Sequence, residues 1–245
     1  ANEISQGSAL LAKNLGETKA NQISTYFSTE SNAVIDLAFN DYTIKSLEDF
    51  DGQFSELTSS NAEFIKQNRE KVLKFYNDEF GSTYTKKTES RIQVESLVDK
   101  MDAESLIAQA DFIATNPNPL GKKDLLLSAA RESGYNSVHK KYHTFFRDYL
   151  NRHSLYDLFL VNTEGRIIYS VFKETDFATS LKSGPWAHTS LSKAFEGFLK
   201  LSAGQVHIED FAPYTPSYEA PASFASTPVY KNGKIVGGII IPLPM

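Results

Sequence analysis

The stretch YDLFLVNTEGRIIYSVFKETDF, residues 156–177, decides the fold of this chain. The run LYDLFLVN (155–162) is apolar enough to read as a buried strand. TEG (163–165) supplies a turn, with Gly165 free to take positive φ. RIIYSVF (166–172) is the partner strand, and a knot of charge follows at once: Lys173, Glu174 and Asp176.

The pattern extends toward the C-terminus. Thr189 to Ser202 places Leu191, Ala194, Phe195 and Phe198 on one helical face. Three more strands follow: GQVHIEDF (204–211), PASFASTPVY (221–230) and KIVGGIIIPL (234–243). The last two are joined by KNGK, whose Asn232-Gly233 pair is a strong hairpin signal. The expected order is β-β-α-β-β-β, a five-stranded, mostly antiparallel sheet with a covering helix.

Toward the N-terminus the period becomes helical. From Ile4 to about Phe50 there is no proline, and Leu11, Leu15, Ile23, Phe27, Val34, Leu37 and Ala38 fall at helical spacing. This predicts one long amphipathic helix with an interruption at Gly16, long enough to pack against a second copy of the chain. Packing within its own chain is the equal alternative. Further helices are predicted over Phe54–Phe80 with Gly81 as a stop, Ile92–Ala114 ending at TNPNPLGKK, Leu125–Ala130, and Ser137–Arg152. The fold class is therefore α+β: a helical region at 1–152 with a long N-terminal helix, then the sheet at 153–245.

Composition sets limits. The 245 residues carry a formal charge of −5, with Lys and Arg scattered, which argues against nucleic acid as a partner. With no cysteine there is no disulfide, thiolate metal site or cysteine nucleophile. No run of about 18 apolar residues is present to span a bilayer. The chain opens on Ala and ends on an apolar segment, so it is expected to be a piece of a longer protein. It has no Gly-x-Ser-x-Gly elbow or phosphate-binding loop, so an enzyme with a dispersed site ranks last among the functions weighed. His139 and His143 stand four apart on a helix, a spacing that can bind metal. Lys140 and Lys141 between them disfavour a cation, so no metal and no cofactor is expected.

The segments YDLFLVNTEGRIIYSVFKETDFATSL, EDFAPYTPS, PASFASTPVY and GKIVGGIIIPLP resemble the Cache domains, PAS-like extracytoplasmic modules of bacterial transmembrane receptors. The stretch NPNPLGKKDLL…YNSVHKKYHTFFRDYL resembles the helical lead-in of one subset of them, so the likeness covers roughly residues 115–245. It implies a sensor segment of a chemoreceptor, histidine kinase, or related cyclase or phosphatase receptor. Such a segment is periplasmic, joined to the membrane only by parts outside this sequence, and not an enzyme. The aromatic-arginine signature of amino-acid-binding Cache receptors is absent.

In a PAS-like fold a small molecule sits between one sheet face and the covering helix and loops. Strand alternation assigns Tyr169 and Val171 to one face and Ile168 and Ser170 to the other. The candidate ligand-binding residues are Tyr169, Lys173, Asp176, Trp186, Asp210, Tyr214, Phe224 and Ser226. They offer aromatic walls and a few polar groups of both charge signs. Lys173 suits a carboxylate, and Asp176 or Asp210 an amine. In the bland alternative Lys173 and Asp210 pair with each other, Trp186 is core, and Tyr214 braces a proline loop. The expected partners are a small polar ligand and a second copy of the chain through the N-terminal helix. The competing function is a protein-interaction module on a ligand-free PAS-like scaffold.

Overall fold

A computed structural model describes residues 2–244, apart from the side chains at positions 2, 3, 20, 23, 24 and 26. Ile23 of the expected apolar stripe thus lies outside the described side chains. The N-terminal helix is two helices, α1 (Asn2–Phe39) and α2 (Asp41–Ser55). The break falls at Asn40, not at Gly16. Asn40 is extended (φ −71°, ψ 125°), and its Oδ1 accepts from the Tyr42 N–H at 2.8 Å, capping α2. Ala33, Val34, Leu37 and Ala38 enter the core, whereas residues 4–19 are exposed, including Leu10, Leu11 and Leu15.

The helix expected over 54–80 is also divided. Phe54 belongs to α2, and α3 (Ala62–Phe75) begins after Asn61, whose side chain accepts from the Phe64 N–H. A π-helical turn (Tyr76–Gly81) then leads into α4 (Ser82–Thr88). Gly81 is therefore no stop. A Cβ there would lie 2.9 Å from the Tyr76 carbonyl oxygen and 3.1 Å from Val94, so close packing is what suits glycine. The chain leaves the helix at Glu89, in the left-handed region at φ 57°. The helix expected over 92–114 is α5 (Val94–Asp99) and α6 (Ala103–Gln109) with a π turn at Ala110–Ala114; Asp102 caps the second piece. Residues 125–130 form no α-helix beyond a 3-10 turn at Lys123–Leu125. Instead Asn136, from α7 (Gly134–Arg152), accepts from the Ala129 N–H and donates to its carbonyl.

The five strands are β1 (Phe159–Val161), β2 (Ile167–Ser170), β3 (His207–Pro213), β4 (Pro221–Lys231) and β5 (Lys234–Leu243). They pair antiparallel in the order β2-β1-β5-β4-β3, and α8 (Ser190–Leu199) lies between β2 and β3 in sequence. Asn232 (φ 52°) and Gly233 (φ 76°) make the expected tight β4–β5 turn.

Alternation gives the sheet two buried faces. Phe159, Val161, Ile167, Phe224 and Ile240 pack with Leu191, Ala194, Phe195 and Phe198 of α8. Leu160, Ala225, Val229, Ile239 and Ile241 join Leu37, Leu47, Phe50 and Phe146 of the helices. This second core holds residues from both sides of position 152. Each large side chain buried this way contributes about 1.5–3 kcal/mol before the entropy of ordering it. The β1–β2 pairing carries a bulge: Leu160 opposes Tyr169 and Val161 opposes Ile167. Ile168 is the extra residue, and it joins Tyr169 in the helix-side core rather than taking the opposite face.

Candidate functional site

Beyond β2 the chain forms a strap over residues 173–178, and both ends need unusual backbone. Lys173 (φ 54°) and Ala178 (φ 69°) occupy the left-handed region without being glycine. The strap is held from the helical side by its carbonyls. The Thr175 carbonyl accepts from Tyr76 Oη (3.2 Å), Gln109 Nε2 (3.0 Å) and Trp186 Nε1 (2.9 Å). Gln109 Nε2 also donates to the Phe177 carbonyl at 2.7 Å, and Ser105 Oγ to the Ala178 carbonyl at 2.7 Å. So many donors on one short segment offset the strain of its backbone.

Where the strap meets the ends of β1, β4 and β5 lies a half-open cavity of about 500 Å³. Its working lining is Asp157, Glu174 and Asp176, with Phe159, Tyr214 and Phe224 as aromatic walls. Prolines 221, 242 and 244 stiffen the mouth. The volume is that of a small-molecule site, and the mix of apolar wall and few polar groups is usual for one.

The three carboxyl groups sit in very different hydrogen bonding. Asp157 Oδ1 accepts from the Leu158 N–H at 2.7 Å and the Phe172 N–H at 3.2 Å, so it braces the start of β1 against the strap. Burial pushes its carboxyl well above the usual range, and the charges of Asp176 and Glu174 add to this. Asp176 is only 2% exposed. Its Oδ2 accepts from Tyr214 Oη at 2.8 Å, while Oδ1 has no hydrogen-bond partner among the described residues. Burial pushes Asp176 up to about 6, against the hydrogen bond from Tyr214 and the nearby Asp176 and Phe177 amides. Those amides favour the charged form but do not reach Oδ1 in hydrogen-bonding geometry. Burial, followed by the charge of Asp176, pushes Glu174 up to about 7, with Lys87 opposing. Part of the Glu174 side chain still meets solvent, so water screens it more than burial alone implies.

Of the eight residues singled out from sequence, Asp176, Tyr214 and Phe224 line this cavity and five do not. Ser226 shares the face of Phe224 but is spent on α8: its Oγ donates to the Ala194 carbonyl at 2.7 Å. Tyr169 lies in the helix-side core, stacked on Phe50, with its hydroxyl donating to His143 Nδ1 at 2.6 Å. Lys173 turns the same way. Its Nζ donates to the Ser170 carbonyl and stands 4.3 Å from the Tyr169 ring centroid and 5.3 Å from that of Phe177. Burial depresses this ammonium to about 7, with Asp157 and Asp124 holding it partly up. Trp186 is core, edge-on to Phe80. Asp210 is exposed on edge strand β3, at a register shift between Glu209 and Ala212, and among the described residues accepts from the Phe211 N–H alone. Lys173 and Asp210 therefore do not pair. The sequence choice passed over Asp157 and Glu174. Glu174 stood in the same charged knot; Asp157 had no distinguishing signal, since nothing local marks which carboxylate at a strand end will be buried.

His139 and His143 stack with ring centroids 4.4 Å apart. His143 Nε2 faces the Asp124 carbonyl at 2.7 Å and must donate there, so Nδ1 accepts from Tyr169. Burial, then the charge of Lys173, lowers His143 to about 3 and His139 well below its usual range, leaving both neutral. Among the described residues no cluster of His, Asp or Glu is arranged to hold a metal ion, and no helix is long and apolar enough to cross a membrane.

No protein-family profile matches the chain, and no curated protein matches it. Among solved structures it is similar to the crystal structure of the V. cholerae histidine kinase DctB sensor domain, at 16% identity and a TM-score of 0.34. The match covers 66% of this chain and 54% of that one, so the chain spans about half the length of that structure.

Proposed function

We propose that this chain is the extracytoplasmic, Cache-type sensor domain of a bacterial transmembrane receptor, and that its ligand occupies the cavity under the strap. One observation carries this: a half-open 500 Å³ cavity is roofed by a strap whose Glu174 and Asp176 side chains face inward while its carbonyls are bonded to the helical half. The strand order and the position of α8 support the PAS-like assignment. A ligand that favours one strap position over another shifts the bonds at Gln109 and Tyr76, and through them the packing of α6 and α3. Tight binding alone carries no signal; the ligand must discriminate between the two strap arrangements. Exposed Ile4, Leu11 and Leu15 recur at helical spacing on α1 and support a homodimer seam there.

The test is a thermal-shift screen of a broad metabolite panel against the wild type and Ala222→Phe, which fills the cavity mouth. The expected result is at least one compound that raises the wild-type Tm and leaves the variant's Tm unchanged. A panel without effect on the wild type, together with stable capture of a protein partner by α1, would favour the interaction-module alternative.

A further inference from the structure

The cavity carries acid without base. Asp157, Glu174 and Asp176 converge on it, and its lining contains no Lys, Arg or His among the described residues. The nearest cations are engaged elsewhere. Lys173 buries its Nζ among Tyr169, Phe177 and Phe112 on the helix side, and Lys87 stands 4.6 Å over the Tyr218 ring. Lys87 offsets Glu174 in part and Lys173 feels Asp157, yet neither reaches the cavity. Asp176 adds a second, independent sign: its buried Oδ1 lacks any partner among the described residues, a state that costs about 1–3 kcal/mol if nothing ever fills it.

We infer that the cavity receives a small organic ammonium ion, its charged head between Asp176 and Glu174 and its carbon body against Phe159, Tyr214 and Phe224. This rests on the reading of the cavity as a ligand site and adds the chemical class of the ligand. An ammonium donates up to three hydrogen bonds, enough to bond the carboxyl groups of Asp176 and Glu174 together. The aromatic faces add cation–π attraction and bury the carbon chain. A bare divalent cation fits poorly: Asp157 Oδ1 is committed to backbone amides, the rest of the wall is apolar, and the carboxylates do not assemble into a metal cluster. A carboxylate ligand would meet three carboxyl groups and no Lys, Arg or His among the described lining residues to pair with it.

The experiment measures binding of putrescine, tyramine and phenethylamine, with succinate as the contrasting anion, to wild type, Asp176→Asn and Glu174→Gln, at pH 5 and pH 8. Both variants keep the shape of the side chain, and a cooperative unfolding transition in each establishes that it folds. At least one of the three amines is expected to bind wild type at pH 8, and to bind about tenfold or more weakly at pH 5 and in Asp176→Asn, with a smaller loss in Glu174→Gln. The loss at low pH follows because Asp176 and Glu174 take up protons on going from pH 8 to pH 5, while the amine stays charged throughout. Binding of succinate with no binding of the amines overturns the ammonium assignment while leaving the sensor reading intact. Amine binding indifferent to both substitutions, or no response to any amine, also overturns it. The sensor reading itself falls only if the wider metabolite panel fails as well.

Discussion

Asp176→Asn should stabilise the unliganded protein at neutral pH, although it removes a buried hydrogen-bonded carboxylate. The folded-state pKa stands near 6 against 3.8 unfolded. Folding therefore retains a proton that the unfolded chain has released, and stability falls as pH rises from about 4 through about 6. Two units correspond to about 3 kcal/mol at pH 8, an upper bound because the two neighbouring carboxyls titrate together with it. Asn can still accept from Tyr214, and its amide can donate to a neighbouring carboxylate, so roughly 1–3 kcal/mol of that should be recovered. For a chain of 245 residues this is a Tm rise of about 2–8 °C. The assay is paired thermal and urea unfolding of wild type and variant between pH 4 and pH 8, without ligand. The gap should be near zero at pH 4, open up to about pH 6, and then level. A gap that does not change with pH, or a variant less stable than wild type at pH 8, would mean that Asp176 is a structural carboxylate, contrary to this expectation.

Lys173→Met should abolish a rise in stability that wild type shows between about pH 7 and pH 10, where the unfolded chain holds a proton the buried ammonium has lost; urea unfolding at pH 7 and pH 9.5 reads it. Gln109→Leu leaves the Phe177 carbonyl without its donor and should cost on the order of 1–3 kcal/mol, with faster amide exchange confined to residues 173–178 and their neighbours. Gly237→Ala should be more damaging, on the order of 3 kcal/mol or more by chemical denaturation. Its φ is 156°, and a Cβ would lie 2.6 Å from the Val161 carbonyl oxygen and 2.8 Å from Leu47.

The strands were legible because their signals are local. Gly165 (φ 86°) and Asn232-Gly233 stand in left-handed turns that few other residues tolerate, and the apolar runs between them pair as expected. Helix boundaries were less legible. Asn40 breaks the long helix by a side-chain cap that outcompetes helix propensity, and Gly81 is a contact residue rather than a terminator. The cavity lining was less legible again, with three of the eight chosen residues reaching it. Period-2 alternation assumes an unbroken strand, but Ile168 is bulged and Lys173 is left-handed. Lys173 therefore enters the helix-side core, while Glu174 and Asp176 face the cavity. Asp210 shares the outward side of edge strand β3 with exposed Ile208, and alternation alone does not say which side of an edge strand meets solvent. Each of these depends on tertiary packing that no local pattern records.

Amide hydrogen exchange with and without a stabilising compound locates the ligand on the strap or away from it. Protection should concentrate at residues 173–178, at the 214–222 loop and at the start of β1, with a smaller change around Gln109. A stabilising compound that protects α1 or the β3 edge and leaves 173–178 exchanging as before would contradict a ligand under the strap.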